Sequence, residues 1–317
     1  MTATKTAWLF PGQGSQYVGM GWELLRDFPP AAEIMGLASE ISGQDLQKLC
    51  LRGPDRELTR TDNLQPAITA INLGCARLLQ DAGYRPDCVA GHSLGEFSAL
   101  HVAGVLTLED TLSLVAERGR LMHEASLAVP SGMLAIKNLH AERVEVIAAQ
   151  LEERYPIAVA NYNAPQQTVL SGAREAIQMA QALVLEQGGK AVSLNVSGAW
   201  HSPLMREAAA LFVGALERAT FHAPRLPVFM NVTGAPGRDA EEIQFALRRQ
   251  IQSPVRWNQL VAGMIAAGVA TFVEVGPGKV LRGLLGLIWP TEDAYRAAGV
   301  EGPQSLRFLK ESREASA

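Results

Sequence analysis

The sequence lacks the cysteine spacing of a metal site. Its three cysteines, Cys50, Cys75 and Cys88, form no closely spaced pair, and an odd number cannot all close as disulfides within one chain. They read as buried thiols of a reducing compartment. Long hydrophobic runs are missing too. The least polar stretch, 262–273, is broken by glycine and falls short of the roughly 18 apolar residues that a membrane span needs. The N-terminal "MTATKTAWLFPGQG" has no apolar core before a small-residue cleavage site, so a cytoplasmic protein without a secretory signal is expected. Nor is there an excess of one charge. The 28 basic and 32 acidic side chains leave a net charge of −4 with no block of like sign, which argues against general nucleic-acid binding and leaves room only for a local basic patch.

What the sequence does contain is a core. Hydrophobic residues make up 48% of 317, enough for one large domain or a domain carrying an insert. The opening reads as a strand "AWLF", a turn "PGQGSQ" and a helix. Apolar residues at helical spacing over 64–83, a short strand "DCVAG" and a helix "EFSALHVAGVL" follow. That alternation predicts an α/β fold with a parallel sheet and helices on its faces. Near residue 128 the rhythm changes to strand, helix, strand, strand, helix, strand, the βαββαβ order of a ferredoxin-like unit. The expected organisation is an inserted subdomain over 128–198 and a main subdomain formed by 1–127 and 199–317. "PVFMNVTG" and "ATFVEVGPG" supply further strand candidates to the main part.

Two glycine-rich loops fail as nucleotide motifs. "GQGSQY" has Tyr17 where a dinucleotide fingerprint needs its third glycine. "GPGKV" has Val273 and Val280 where a phosphate loop needs glycine and a hydroxyl residue.

Gly91-His92-Ser93-Leu94-Gly95 fits the G-x-S-x-G elbow. In that turn the serine is lifted off the end of a strand, and the N–H groups of the next helix face a developing oxyanion. The alternative is a small residue in a tight turn. A serine nucleophile needs a base. His92 is adjacent and should point elsewhere; His101, His123 and His140 lie on helical patterns; His222 has no supporting features. His201, in the loop-like "SGAWHSPLM", stands ahead of each of them. Arg118 shares a helix face with Thr111, Val115 and Met122, whereas Arg120 turns away. An inward guanidinium needs an anion, either a protein carboxylate or a substrate carboxylate held bidentately.

"FPGQGSQ", "LQPA", "GHSLGEFSAL", "ERGRLM", "NYNAPQQTVLSG", "GAWHSPLM", "QSPVRW" and "EVGPGKVL" occur in this order over nearly the whole chain. Together they resemble the malonyl-CoA:acyl carrier protein transacylase family. The resemblance implies an α/β-hydrolase-like core with a ferredoxin-like insert and the active site between them. It implies Ser93 as acyl-accepting nucleophile, His201 as general base, the Gln250 backbone carbonyl as its orienting group, and the N–H groups of Gln13 and Leu94 as oxyanion hole. Arg118 is implied to hold the malonyl carboxylate, with Trp200, Asn163 and Gln65 also in the substrate site. The implied reaction is ping-pong through a malonyl-serine ester, with malonyl-CoA as substrate, no cofactor and no metal.

Family members often carry Phe or Ser before the catalytic histidine. Here it is Trp200, whose larger ring is expected to favour unbranched malonyl unless it only packs between subdomains. Holo-acyl carrier proteins are acidic, so a basic rim is expected, with Arg206, Arg248, Arg249, Arg256, Lys279 and Arg282 as candidates. A monomer of fatty-acid synthesis is expected. The same scaffold serves trans-acting polyketide malonyltransferases and malonate decarboxylase loading subunits. A hydrolase of carrier-bound chains and a non-catalytic docking module are the readings from other classes.

Overall fold

The computed structural model describes residues 4–291 and 295–314. Its strands are β1 (Lys5–Phe10), β2 (Cys88–Gly91), β3 (Ser131–Lys137), β4 (Ile157–Ala164), β5 (Gln167–Ala173), β6 (Lys190–Ser193), β7 (Val228–Phe229), β8 (Val269–Val275) and β9 (Arg296–Val300). They form two sheets. The first has the order β7-β2-β1-β8-β9, with every neighbouring pair parallel.

Alternation along β1 shows why this sheet is covered on both sides. Trp8 and Phe10 enter one hydrophobic cluster, with the helices Thr61–Asp81 and Leu108–Ala128. Ala7 and Leu9 enter another, with the helices Trp257–Ala266 and Val280–Ile288. Successive side chains of a strand point to opposite faces, and a parallel sheet buries both.

The second sheet is antiparallel throughout, in the order β4-β5-β3-β6. The helices Ala141–Glu152 and Arg174–Glu186 cover one face through Leu134 and Ile136. Met133 and Ala135 on the other face join the large cluster that contains Trp200. The sheets are also tied through Val255, whose N–H donates to the Ala160 carbonyl (2.8 Å) and whose carbonyl accepts from Tyr162 (2.9 Å).

The structure shortens two elements read from sequence. "PVFMNVTG" forms only the two-residue β7, because the chain leaves the sheet at Met230 and the buried Asn231 N–H goes to Glu96 Oε1 (2.6 Å). The helix expected over "EFSALHVAGVL" stops at Val102, followed by Gly104 in the left-handed region. His140 is the residue that precedes a helix rather than part of one. Among the described residues no helix is long and apolar enough to cross a membrane.

Candidate active site

The elbow joins β2 to the helix Gly95–Val102, and backbone crowding explains its glycines. A Cβ on Gly91 would overlap the backbone of Gly95; one on Gly95 would strike the Phe10 carbonyl; one on Gly12 would meet the His92 carbonyl. Ser93 takes the apex at φ 50°, a backbone region that costs an L-residue about 1–2 kcal/mol. His201 is left-handed too, at φ 59°. Strain at both members of one pair is the pattern of a functional site held by its surroundings.

Ser93 Oγ lies 2.7 Å from His201 Nε2. His201 Nδ1 faces the carbonyls of Gln250 (3.0 Å) and Ser253 (2.9 Å). Carbonyls only accept, so the proton of the neutral ring sits on Nδ1 and the Nε2 lone pair faces the serine hydroxyl. Burial first, then the Arg118 charge, push this imidazole down to about 3. It is therefore a neutral acceptor.

Arg118 is fully buried. Nη1 donates to Gln65 Oε1 (2.7 Å), Nε and Nη2 to Gln250 Oε1 (3.1 and 3.0 Å), and Nη2 lies 3.2 Å from Ser93 Oγ. No ion pair to it exists among the described residues. Of the two partners left open by the sequence, a direct protein carboxylate is thus not what is found. Amide oxygens rather than a carboxylate accept from Nη1, Nε and Nη2, and burial draws Arg118 down to about 10 against the raising effect of the Glu96 charge. An unpaired buried cation is costly unless an anion arrives.

Gln65 touches Arg118 and, through Nε2, Thr61 Oγ1 (2.9 Å). The Gln13 side chain also turns to Thr61 (3.0 Å). The backbone N–H groups of Gln13 and Leu94 donate to no group among the described residues. Asn163, on β4, lies 2.9 Å from His92 Nε2, and the His92 ring packs on Trp257 at 5.3 Å. This contact joins the second sheet to the elbow. Trp200 is buried beside His201 in a cluster with Met133 and Val169, and its indole N–H has no hydrogen-bond partner among the described residues.

Three residues around the serine were not anticipated from sequence. Asn231 Oδ1 accepts the Ser93 N–H (2.6 Å), and its Nδ2 donates to the Gly91 carbonyl (2.7 Å). Glu96, fully buried in the first turn after the elbow, accepts from Asn231 and Gln250. Ser253 adds the second carbonyl on His201. The only sequence signal for Glu96 was its place at a helix start, where a carboxylate is favoured. Asn231 and Ser253 had none.

The second glycine-rich loop is occupied by the chain itself. Glu274 accepts the N–H groups of Leu281 (2.9 Å) and Arg282 (3.1 Å), and Glu301 that of Gly278 (2.6 Å). Among the described residues no three His, Cys, Asp or Glu side chains cluster as metal ligands would. The three cysteines are buried thiols. Of the expected rim, Arg248 and Arg282 already pair with Glu217 and Glu274, while Arg256 stands over the Tyr162 ring.

Residues 7–285 match the family model described as acyl transferase domain. The chain is 39% identical over 284 residues to the malonyl CoA-acyl carrier protein transacylase of Bacillus subtilis strain 168, covering 89% of this chain and 90% of that one. It is 46% identical over 303 residues to the polyketide biosynthesis protein ThaF of Burkholderia thailandensis, covering 94% of this chain but 25% of that much longer protein. The crystal structure of a malonyl-CoA:acyl carrier protein transacylase from Xanthomonas oryzae pv. oryzae superposes with a TM-score of 0.92 at 38% identity, covering 98% of this chain and 99% of that one.

Proposed function

The chain belongs to the malonyl-CoA:acyl carrier protein transacylase family, and from that premise we propose how its residues divide the work of an acyltransferase that moves malonyl from coenzyme A to a carrier thiol. His201 Nε2 takes the Ser93 hydroxyl proton as Oγ attacks the thioester carbonyl. The tetrahedral oxyanion lies against the N–H groups of Gln13 and Leu94. Collapse expels the coenzyme A thiolate, which takes the proton back from the imidazolium and leaves a malonyl ester on Ser93. The phosphopantetheine thiol of holo-acyl carrier protein repeats the steps in reverse order. The two carbonyls on His201 Nδ1 do the orienting that an acid does in a Ser-His-Asp triad. The observation that carries this reading is the 2.7 Å contact between Ser93 and a histidine whose tautomer is set from behind.

Acyl choice falls to Arg118. A malonyl carboxylate supplies the anion that its amide partners do not, and an acetyl group would leave the cation unpaired. Gln65 and Gln250 aim the guanidinium, Trp200 walls the acyl pocket, and Asn163 reaches the substrate side of His92. The strand orders support reading the first unit (1–127 and 199–317) as hydrolase-like and the second (128–198) as a ferredoxin-like insert. No bound cofactor enters the scheme. The carrier docks on a basic rim to which Arg206, Arg249, Arg256 and Lys279 contribute, the enzyme works as a cytoplasmic monomer, and fatty-acid synthesis is the pathway proposed first.

The test is two-substrate kinetics. Varying malonyl-CoA at several fixed concentrations of holo-carrier should give parallel double-reciprocal lines; intersecting lines would contradict an ester intermediate. A second pathway, malonyl supply to polyketide carriers, is favoured by the 46% identity to ThaF. Comparing kcat/KM on carriers of the two pathways separates them.

A further inference from the structure

Glu96 is fully buried and takes no part in the proton transfers described above. Every hydrogen-bonding group that touches its carboxylate donates. Oε1 accepts from the Asn231 backbone N–H (2.6 Å) and from Asn231 Nδ2 (3.1 Å), and Oε2 accepts from Gln250 Nε2 (2.6 Å). An amide whose nitrogen is claimed must present its oxygen on the other side. For Asn231 that oxygen receives the Ser93 N–H. For Gln250 it receives Nε and Nη2 of Arg118, while Nε2 also donates to the Ser93 carbonyl (2.9 Å). Turned over, Gln250 would set its nitrogen against the guanidinium donors and its oxygen against the Ser93 carbonyl and the Glu96 carboxylate.

We propose that Glu96 is a positioning residue for acyl selection: its buried carboxylate locks the amides of Gln250 and Asn231 in the one orientation that holds Arg118 ready for a carboxylate and Ser93 ready to attack. The inference rests on the reading of Arg118 as the malonyl-binding group. Burial holds the Glu96 carboxyl up at about 7, while the donated bonds and the Arg118 charge pull it back toward ionisation. The Glu96 carboxyl and the Arg118 guanidinium are joined through the Gln250 amide rather than in direct contact. A glutamine at 96 removes this lock. Its oxygen must stay on the Asn231 backbone N–H, a donor that cannot turn, so its own NH2 faces Gln250 Nε2 where an acceptor stood. Gln250 then flips or withdraws, and Arg118 loses the oxygen that aims it.

The experiment compares full-length wild type and Glu96→Gln for acylation of Ser93 by malonyl-CoA and acetyl-CoA, using quenched intact mass spectrometry. The malonyl-to-acetyl ratio of loading efficiencies should fall about 10-fold or more, since small misplacements of an aiming group have effects of this size. Glu96→Asp, which keeps the carboxylate, should retain more of the ratio than Glu96→Gln. Equal losses for both acyl groups, or no loss, would overturn the proposal, because a merely structural Glu96 would lower the active fraction without changing selectivity. If Glu96→Gln does not fold, Glu96→Asp is read alone: a carboxylate drawn back from Gln250 by one methylene should lower the ratio, and an unchanged ratio overturns the lock. Arg118→Ala run in parallel separates the two failures. An unchanged ratio there refutes the reading of Arg118, whereas a shift there with none in Glu96→Gln refutes only the role of Glu96.

Discussion

Arg118 Nη2 lies 3.2 Å from Ser93 Oγ, so the guanidinium proposed to select the acyl chain touches the hydroxyl proposed to attack it. This cation faces the serine hydroxyl and disfavours a proton on His201. A bound carboxylate neutralises it and relieves both effects. Arg118→Ala should lower kcat/KM for malonyl-CoA about 100-fold or more, the scale for removing one partner of a buried charge pair. Acetyl-CoA should be used no less well than by wild type, since the unpaired cation is gone. Parallel losses on the two substrates would show that Arg118 is only structural.

The state of His201 gives a prediction with a definite sign. Its pKa is about 3 in the fold against an ordinary value of 6.5, so below pH 6.5 the unfolded chain binds a proton that the folded chain refuses. Stability from this group is intact above 6.5 and is lost as pH falls from 6.5 toward 3. In nitrogen-resolved NMR, His201 should remain a neutral Nδ1–H ring at pH 5, and Arg118→Ala should raise its pKa. An imidazolium signal at pH 5 in wild type would refute the assignment.

Trp200 is buried beside His201, and its indole N–H has no partner among the described residues. On the reading that Trp200 walls the acyl pocket, replacing it by serine opens that wall. Trp200→Ser should raise the methylmalonyl-to-malonyl ratio of kcat/KM about 10-fold, the range for one or two methylenes of pocket space. Measured for both coenzyme A esters, an unchanged ratio would leave Trp200 a packing residue between the sheets.

Two glycines should respond in opposite directions. A side chain on Gly95 strikes the Phe10 carbonyl, and Gly95→Ala should cost about 3 kcal/mol in chemical denaturation, as overpacking does. Gly36 lies exposed within the helix Pro29–Ser42, with open space where a Cβ would stand. Gly36→Ala should stabilise by about 0.8–1 kcal/mol.

What could be read from the sequence was mostly local. Gly91, Ser93 and Gly95 were legible because an elbow is made of consecutive residues and its crowding is backbone on backbone. Arg118 was legible because helical spacing places it beside Val115 and Met122. The base was not legible in the same way. His201 stood ahead of its rivals by position alone, and its partner carbonyls at Gln250 and Ser253 are 49 and 52 residues away. Asn231 and Glu96 meet across 135 residues, and no local pattern announces such a pair. The same contact explains why "PVFMNVTG" read as a strand: its apolar residues fit one, but Asn231 is drawn out of the sheet to hold the elbow.

Acyl transfer is proposed to pass through Ser93. Wild type mixed briefly with malonyl-CoA should gain one malonyl group by intact mass spectrometry and lose it when holo-acyl carrier protein is added. Ser93→Ala should gain none. An enzyme that transfers malonyl without ever carrying it, or a Ser93→Ala variant that still becomes malonylated, would contradict the account.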